Sequence, residues 1–471
     1  MNRKSALGIY SAVYALFYTF CLYKNMGGIT FPFFTAGTLI FFGLCMKEFR
    51  LTLKKDSLFA AVCAMLISVS QVLTANDFIQ CFNVIAVFAL LAYILLHQFA
   101  KDEKWSFLQH FENLISAFFG GISNFFAPLK DYSFYRKNKN TENEKPGFPW
   151  HIVLITALCC LPVLLLVIML LSSADAVFQN MLGDVFESLI PDGDWVMPVL
   201  LTVFVFFFIY AQISRLLKFP YSEEEKLITK GNSLIAMTVG VMFDFVYLIF
   251  SLIQILYLFI GKFTLPEGYT YAEYAREGFF QLLFVSFLNL LMVFAGIYFF
   301  EEKKSLKIIL SVLSGCTYIM ILSSAYRMVL YIRYFYFSFE RILVLWALAV
   351  IFTLLTGLVI QTWKNGFKFF KYTVVVLCLF CTVLSFSKPD YFIAKWNLEN
   401  SEEQQGGFFL AANSYNDYGY LIYGLSDDAA SVLVKNENTC ADYTEYRRMN
   451  TCELTFRSFN ASRYKANKLT Q

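Results

Sequence analysis

Apolar runs of roughly twenty residues, parted by short polar stretches, follow one another from the start of the chain to about residue 387. Eleven segments read as helical spans: about 6–23, 28–46, 57–75, 78–99, 150–172, 195–217, 234–262, 278–300, 307–330, 341–361 and 369–387. Each is long enough to cross a hydrocarbon core of about 30 Å as a helix, the open-chain form that satisfies its own backbone polar groups there. A different period governs residues 105–126, where Trp105, Leu108, Phe111, Ile115, Phe118, Phe119, Ile122, Phe125 and Phe126 recur at steps of three and four. That spacing makes one apolar face and predicts an amphipathic helix lying on the inner leaflet. Beyond residue 388 the runs stop, and short helical signals predict a small helical module. The expected fold class is all-α: a polytopic transmembrane helix bundle of about 11 spans with an interfacial helix and a C-terminal extracytoplasmic module. Its divisions fall at 1–99 (four spans), 100–149 (interfacial helix and basic linker), 150–387 (a seven-span core) and 388–471 (the tail).

Composition agrees, with 58% apolar residues, 19% aromatics and 15% charged, far from the surface needs of a soluble chain. The net charge of +3 gives no reason to expect nucleic acid. Its distribution is more telling. One set of alternate loops carries 23 lysines and arginines and the other set 6, and lysine-rich short loops stay on the cytoplasmic side. The N-terminus is therefore expected inside and residues 388–471 outside. Arg3 and Lys4 precede the first run as in a signal peptide, but no small-residue cleavage site follows before Lys24, so the run reads as a retained span.

On the outer face by this topology, "SSADAVF" brings Asp175, "YTYAEYAREGFF" brings Glu273 and Arg276, "SSAYRMVLYIRY" brings Arg327 and Arg333, and "FERI" brings Glu340. Two readings stand. These six residues line a polar vestibule that binds a ligand or partner, because charges near a bilayer pair or face a cavity; or they cap helix ends and snorkel to the headgroups. Thr270 and Glu273 have capping-box spacing, which favours the second reading at that point. Within the spans, Asp244, Gln254, Gln281 and Asn289 are the notable polar groups. If the seventh and eighth spans pack as a hairpin, Asp244 meets Asn289 and Gln254 meets Gln281 as interhelical hydrogen bonds. Asp244 as a proton- or ion-coupling carboxylate is the alternative.

Ser426 followed by Asp427 and Asp428 reads as a helix N-cap with acids in the first turn. Cys440 and Cys452 are the tail's cysteines, and an exported location allows a disulfide between them, with free thiols the equal alternative. "CLFC" reads as two small side chains, and His97, His110 and His151 stand near no partner that spacing reveals. No phosphate loop, dinucleotide fingerprint, nucleophile elbow or zinc motif is present, so no metal, cofactor or catalytic residue is assigned.

The stretches "SADAVF", "YTYAEYAREGFFQLL", "SSAYRMVLY", "AKWNLE", "LSDDAASVL" and "FRSFNASR" together resemble a large family of uncharacterised bacterial polytopic membrane proteins, the domain-of-unknown-function group numbered forty-one seventy-three with its relative forty-one fifty-three. The resemblance implies a multi-pass protein of the bacterial cytoplasmic membrane, and the family carries no established chemistry. Three function classes follow. The favoured one is a non-enzymatic envelope sensor, regulator or assembly factor, with the bilayer and an envelope protein or small ligand as partners. The second is a proton- or ion-coupled transporter using Asp244. The third is a lipid- or cell-wall-modifying enzyme with Asp175 or Glu273 as general base, which is disfavoured because the outer acids are matched by arginines rather than gathered around one another.

Overall fold

The computed structural model of the chain describes residues 3–131, 164, 167, 171, 195–218, 229–256, 271–364, 366–403, 417–450 and 454–471. Its main helices are α1 (Arg3–Leu22), α2 (Thr30–Phe49), α3 (Lys55–Leu73), α4 (Asp77–Phe99), α5 (Phe107–Ser123), α6 (Val196–Lys218), α7 (Ser233–Gln254), α8 (Tyr271–Phe299), α9 (Lys304–Phe335), α10 (Phe339–Trp363) and α11 (Phe369–Phe386). The tail adds α12 (Pro389–Glu403), α13 (Ala430–Leu433), α14 (Glu437–Met449) and α15 (Ala461–Thr470). No β-strand occurs among the described residues, where the one extended pairing is an isolated bridge between Gly231 and Phe300.

Nine described helices, α2–α4 and α6–α11, are long and apolar enough to cross a membrane, while the apolar part of α1, Ala6–Leu22, is shorter. The run expected at 150–172 falls almost entirely outside the described residues. The faces of these helices turned away from the bundle are greasy: Met242 and Phe245 on α7 are each 67% exposed. Apolar surface of that extent is untenable in water and natural in lipid. The protein is a multi-pass helical membrane protein.

Two packed clusters make up the bundle. In the first, α1–α4, α5 and α6 share a core that includes Phe31, Phe34, Ile67, Val87 and Ile213. In the second, α8–α10 bury Leu313, Met328, Leu348 and Leu355 against one another. α11 packs on both α3 and α10 and so joins the two. α6 sits against α1 and α5 rather than against the helices that follow it.

Because lipid tails are as apolar as leucine, polar side chains set the register between helices. Asn83 of α4, fully buried, donates to Ser70 Oγ and Gln71 Oε1 of α3, both at 3.1 Å, and accepts from Ser385 Oγ of α11 at 2.5 Å. Thr35 of α2 meets Ser68 of α3 at 2.6 Å, and Tyr14 of α1 meets Thr38 of α2 at 3.0 Å. Helix starts are fixed locally: Asn76 accepts from Ile79 N at the head of α4 at 3.0 Å, and Ser106 accepts from Gln109 N at the head of α5 at 3.3 Å.

α7 packs chiefly on α9, and less on α8 than the hairpin reading of the seventh and eighth spans requires, although Tyr247 of α7 still reaches Asn289 of α8. Gly240 explains the choice, since a Cβ there would lie 2.5 Å from Ile309 Cγ2 of α9. The two polar pairs expected between α7 and α8 therefore do not form. Asn289 of α8 donates to Thr317 Oγ1 of α9 at 3.0 Å, Gln254 of α7 is taken by α9, and Gln281 is exposed. Asp244 is buried, and its Oδ1 has no hydrogen-bond partner.

Candidate functional site

Of the six residues expected to line one outer vestibule, Arg327, Arg333 and Glu340 have described side chains. Asp175 lies outside the described residues, as does Thr270, and Glu273 and Arg276 occupy the first turns of α8 with side chains outside the description. Arg327 is turned inward and is 7% exposed, whereas Arg333 and Glu340 are exposed. Arg327 Nη2 donates to Gln254 Oε1 at 3.3 Å, and the same oxygen accepts from Ser323 Oγ at 2.6 Å. Gly278 lets the guanidinium pass α8, because a Cβ there would stand 2.0 Å from Arg327 Nη1. Ser324 Oγ reaches Phe279 O at 3.2 Å. The "AREGFF" and "SSAYR" stretches thus interlock α8 with α9, and Gln254 ties α7 to the same point. Arg341 caps the end of α9 by donating to Phe335 O and Tyr336 O, and its guanidinium lies 4.3 Å from the Tyr331 ring centroid.

The tail is the better-defined construction. Its own core of Ile393, Leu398, Leu421, Leu433 and Tyr443 is joined by Phe337, Phe339 and Ile342 from the α9–α10 corner. Polar side chains then fasten it to three helix junctions. Asn397 of α12 clasps that corner, accepting from Phe337 N and donating to Phe337 O, each at 2.9 Å. At the α3–α4 junction, Asp428 accepts from Thr74 Oγ1 at 2.5 Å and from Ala75 N at 3.0 Å, and Asp390 accepts from Asn76 Nδ2 at 2.9 Å. Asn460 Nδ2 donates to Gln71 O at 3.1 Å and Thr74 O at 2.8 Å while its Oδ1 caps α15, and Ser462 Oγ donates to Leu73 O at 2.8 Å. At the α1–α2 junction, Arg457 Nη2 donates to Tyr23 O, and Asn25 Nδ2 donates to Arg457 O, both at 2.6 Å.

The last carbonyls of α3 have no partner within their own helix, and the tail supplies it. The stretches "AKWNLE", "LSDDAASVL" and "FRSFNASR" are thereby accounted for, since Asn397, Asp428, Arg457, Asn460 and Ser462 are the docking side chains. Ser426 caps the turn that holds Asp428, accepting from Asp428 N at 3.4 Å. Burial pushes the Asp390 carboxyl up, against the hydrogen bonds from Ser426 and Asn76. Burial raises Asp427 too, against the charges of Arg447 and Arg463. Cys440 lies on α14, partly buried, and Cys452 is outside the described residues.

At the opposite end of the bundle the structure gathers a cluster that sequence reasoning missed. Asp102, in the α4–α5 loop, accepts from His97 Nδ1, stands 3.4 Å from His110 Nε2 and pairs with Lys54 Nζ at 3.1 Å. Lys54 also donates to His97 O at 2.5 Å and Ala100 O at 2.6 Å, covering the open end of α4. Lys371 of α11 pairs with Asp56 of α3, which lies 3.9 Å from His97 Nε2. The ring of His110 stacks on Phe370 at 4.1 Å and that of His97 on Tyr93 at 5.4 Å. Burial opposes ionisation of Asp102, but the hydrogen bonds from His110 and His97, with the charges of His97 and Lys54, hold its carboxyl well below the usual carboxylate range. The expectation that His97 and His110 lack partners is corrected here. His97 ends α4, Asp102 lies in a loop and His110 starts α5, so no single period links them. Two histidines around an aspartate beside a helix end were the available signal. Among the described residues no three such side chains are arranged to hold a metal ion. The cluster clamps α3, α4, α5 and α11 together.

A family model described as "Domain of unknown function (DUF4153)" matches residues 61–436. It is the second of the two groups that the motifs resemble. No curated protein and no solved structure matches the chain.

Proposed function

The chain belongs to the DUF4153 family, and from that premise we propose that it is a non-enzymatic sensor, regulator or assembly factor of the bacterial cytoplasmic membrane that binds a ligand or partner on the face carrying its tail. The carrying observation is the way the tail is fastened. Asn397, Asp428 and Asn460 tie it to backbone atoms of separate helix junctions, so a change in the tail is felt by α3, α4, α9 and α10 together. An element attached in this way is suited to reporting occupancy to the bundle. The count of 23 lysines and arginines against 6 supports a tail outside the cell. In keeping with that count, Lys54 and Lys371 meet at one end of the bundle and the tail covers the other.

The test is complementation of a deletion strain. An Asp428→Ala/Asn460→Ala chain, present in the membrane with an intact bundle, should fail to restore the wild-type phenotype. Full restoration by that chain would remove the tail from the function.

One observation favours a second reading. Asp244 is buried on a membrane-length helix with an unpartnered carboxylate oxygen, an arrangement that insertion scales price at roughly 2.5–3.5 kcal/mol at a helix centre. If Asp244 carries a coupling proton, proteoliposomes of the wild-type protein should discharge an imposed pH gradient, and Asp244→Asn should abolish the discharge while leaving thermal stability equal or higher. A gradient that decays at the same rate in wild-type and empty liposomes would eliminate the transporter.

A further inference from the structure

Within the tail, α12, α13 and α15 wall a cavity of about 650 Å³. Four lysines converge on it from four places in the chain: Lys388 at the α11–α12 junction, Lys395 on α12, Lys435 in the turn after α13 and Lys465 on α15. Two of the three acids in the same wall are engaged elsewhere. Asp427 is bridged to Arg447 at 2.8 Å, and Asp428 is bound to Thr74 Oγ1 and Ala75 N of the α3–α4 junction. Glu399 stands 3.9 Å from Lys395, a loose contact within one helix. Lys388, Lys435 and Lys465 have no carboxylate partner among the described residues. Ammonium groups brought round one hollow by separate elements repel each other, and an anion between them reverses the sign of that interaction.

Size and position narrow the ligand. A hollow of this volume falls within the roughly 300–1,000 Å³ typical of small-molecule sites, more than one simple anion needs. Lysine is a point-charge binder of phosphate, and Tyr391, Ser431 and Asn436 add hydroxyl and amide groups to the wall. Lys388 follows directly on Ser387, the residue that closes α11, and its backbone is in the left-handed region at φ 44°. That conformation, uncommon for a residue other than glycine, sets Lys388 where the chain leaves the membrane-length helix.

We propose that this cavity binds a phosphate-bearing small ligand at the membrane surface, either the headgroup of an anionic lipid or a free phosphorylated molecule, with Lys388, Lys435 and Lys465 as its charge contacts. The proposal rests on the reading of the tail as the binding face and gives it a ligand chemistry. Occupancy would draw α12, α13 and α15 together over the α3–α4 junction, which is the coupling that reading requires.

The experiment uses the full chain in phosphatidylcholine nanodiscs, titrated calorimetrically with inorganic pyrophosphate. In parallel, the protein is reconstituted with mixed phosphatidylcholine and phosphatidylglycerol, and retained lipid is counted by native mass spectrometry. Pyrophosphate binding that is roughly tenfold or more weaker in Lys388→Gln/Lys435→Gln/Lys465→Gln supports the proposal; Lys468→Gln, on α15 but outside the cavity wall, should leave it unchanged. Phosphatidylglycerol retained by the wild type, lost in the triple variant and displaced by pyrophosphate assigns a lipid headgroup. Pyrophosphate binding without retained phosphatidylglycerol assigns a free ligand. Absence of both, or equal binding by the triple variant, overturns the proposal. That outcome leaves the complementation result for the docked tail untouched, so the two ideas fail separately.

Discussion

Asp102→Ala should destabilise the protein by roughly 3–5 kcal/mol, the cost of removing one partner from a buried ionic cluster. The carboxylate is 3% exposed and is the common acceptor for His97, His110 and Lys54. Without it, Lys54 keeps only the carbonyls of His97 and Ala100, and the buried His97 and His110 lose their shared acceptor. The damage should spread along a definite route. α5 is held to α11 through His110 and Phe107, whose rings lie on Phe370 at 4.1 and 5.6 Å, and to α6 through Arg215, which donates to Ser116 O at 2.7 Å. Hydrogen exchange should therefore accelerate in α5 and the last turn of α4 before it does elsewhere. Unchanged stability with unchanged exchange in α5 would refute the role given to the cluster.

The same carboxylate sets a pH dependence with a fixed sign. Its folded pKa is depressed, so in the acid range the unfolded chain binds the extra proton and stability rises with pH. The contribution is complete above the unfolded value of about 4 and is lost as pH falls from there toward the folded value. Asp390 and Asp427, at the tail end, are shifted upward and oppose this trend. The informative quantity is therefore the difference between wild type and Asp102→Asn. The wild type should lose stability more steeply below about pH 4, and equal slopes would mean that the carboxylate is not held ionised by its partners.

Elements and contacts were legible to different degrees, and the reason is physical. Apolar runs such as 369–387 announce α11 because lipid tolerates only helices with satisfied backbones. The cap at Ser426 follows from local chemistry, whereas the cap at Asn460 was not read from the sequence. Which helix lies beside which is not a local property. Chain order suggested that Gln254 pairs with Gln281, yet the flat face around Gly240 accepts Ile309 of α9, and Gln254 is carried to Ser323 and Arg327. For the same reason Arg327, grouped by sequence with the outer charges Arg333 and Glu340, is buried between helices. The tail residues were recognisable as motifs, but their purpose needed the α3–α4 and α1–α2 junctions beside them, hundreds of residues away in sequence.

Asp428→Ala/Asn460→Ala should free the tail from the bundle without unfolding the helices beneath it. A hydrogen bond to a charged group is worth about 1.5–3 kcal/mol net, and Asn460→Ala also removes a helix cap worth about 1 kcal/mol. Both side chains bind Thr74, one at the hydroxyl and one at the carbonyl, so their effects should be coupled rather than additive. A combined loss of roughly 3–5 kcal/mol is expected for docking. Limited proteolysis in nanodiscs should then cut the chain in α14 and α15, while α3 and α4 stay protected. Gly28→Ala approaches the same contact without changing charge or hydrogen bonding: its Cβ would lie 2.1 Å from Arg457 O and 2.8 Å from Ser458 Cα. Those are backbone atoms, so no rotamer change relieves the overlap, and the segment carrying Arg457 must lift from the α1–α2 junction. If both changes expose the tail, docking depends on these few polar contacts; if the tail stays protected in both, the apolar contacts of Phe337, Phe339 and Ile342 with the tail core suffice to hold it, and a ligand in the tail would be coupled mainly to α10.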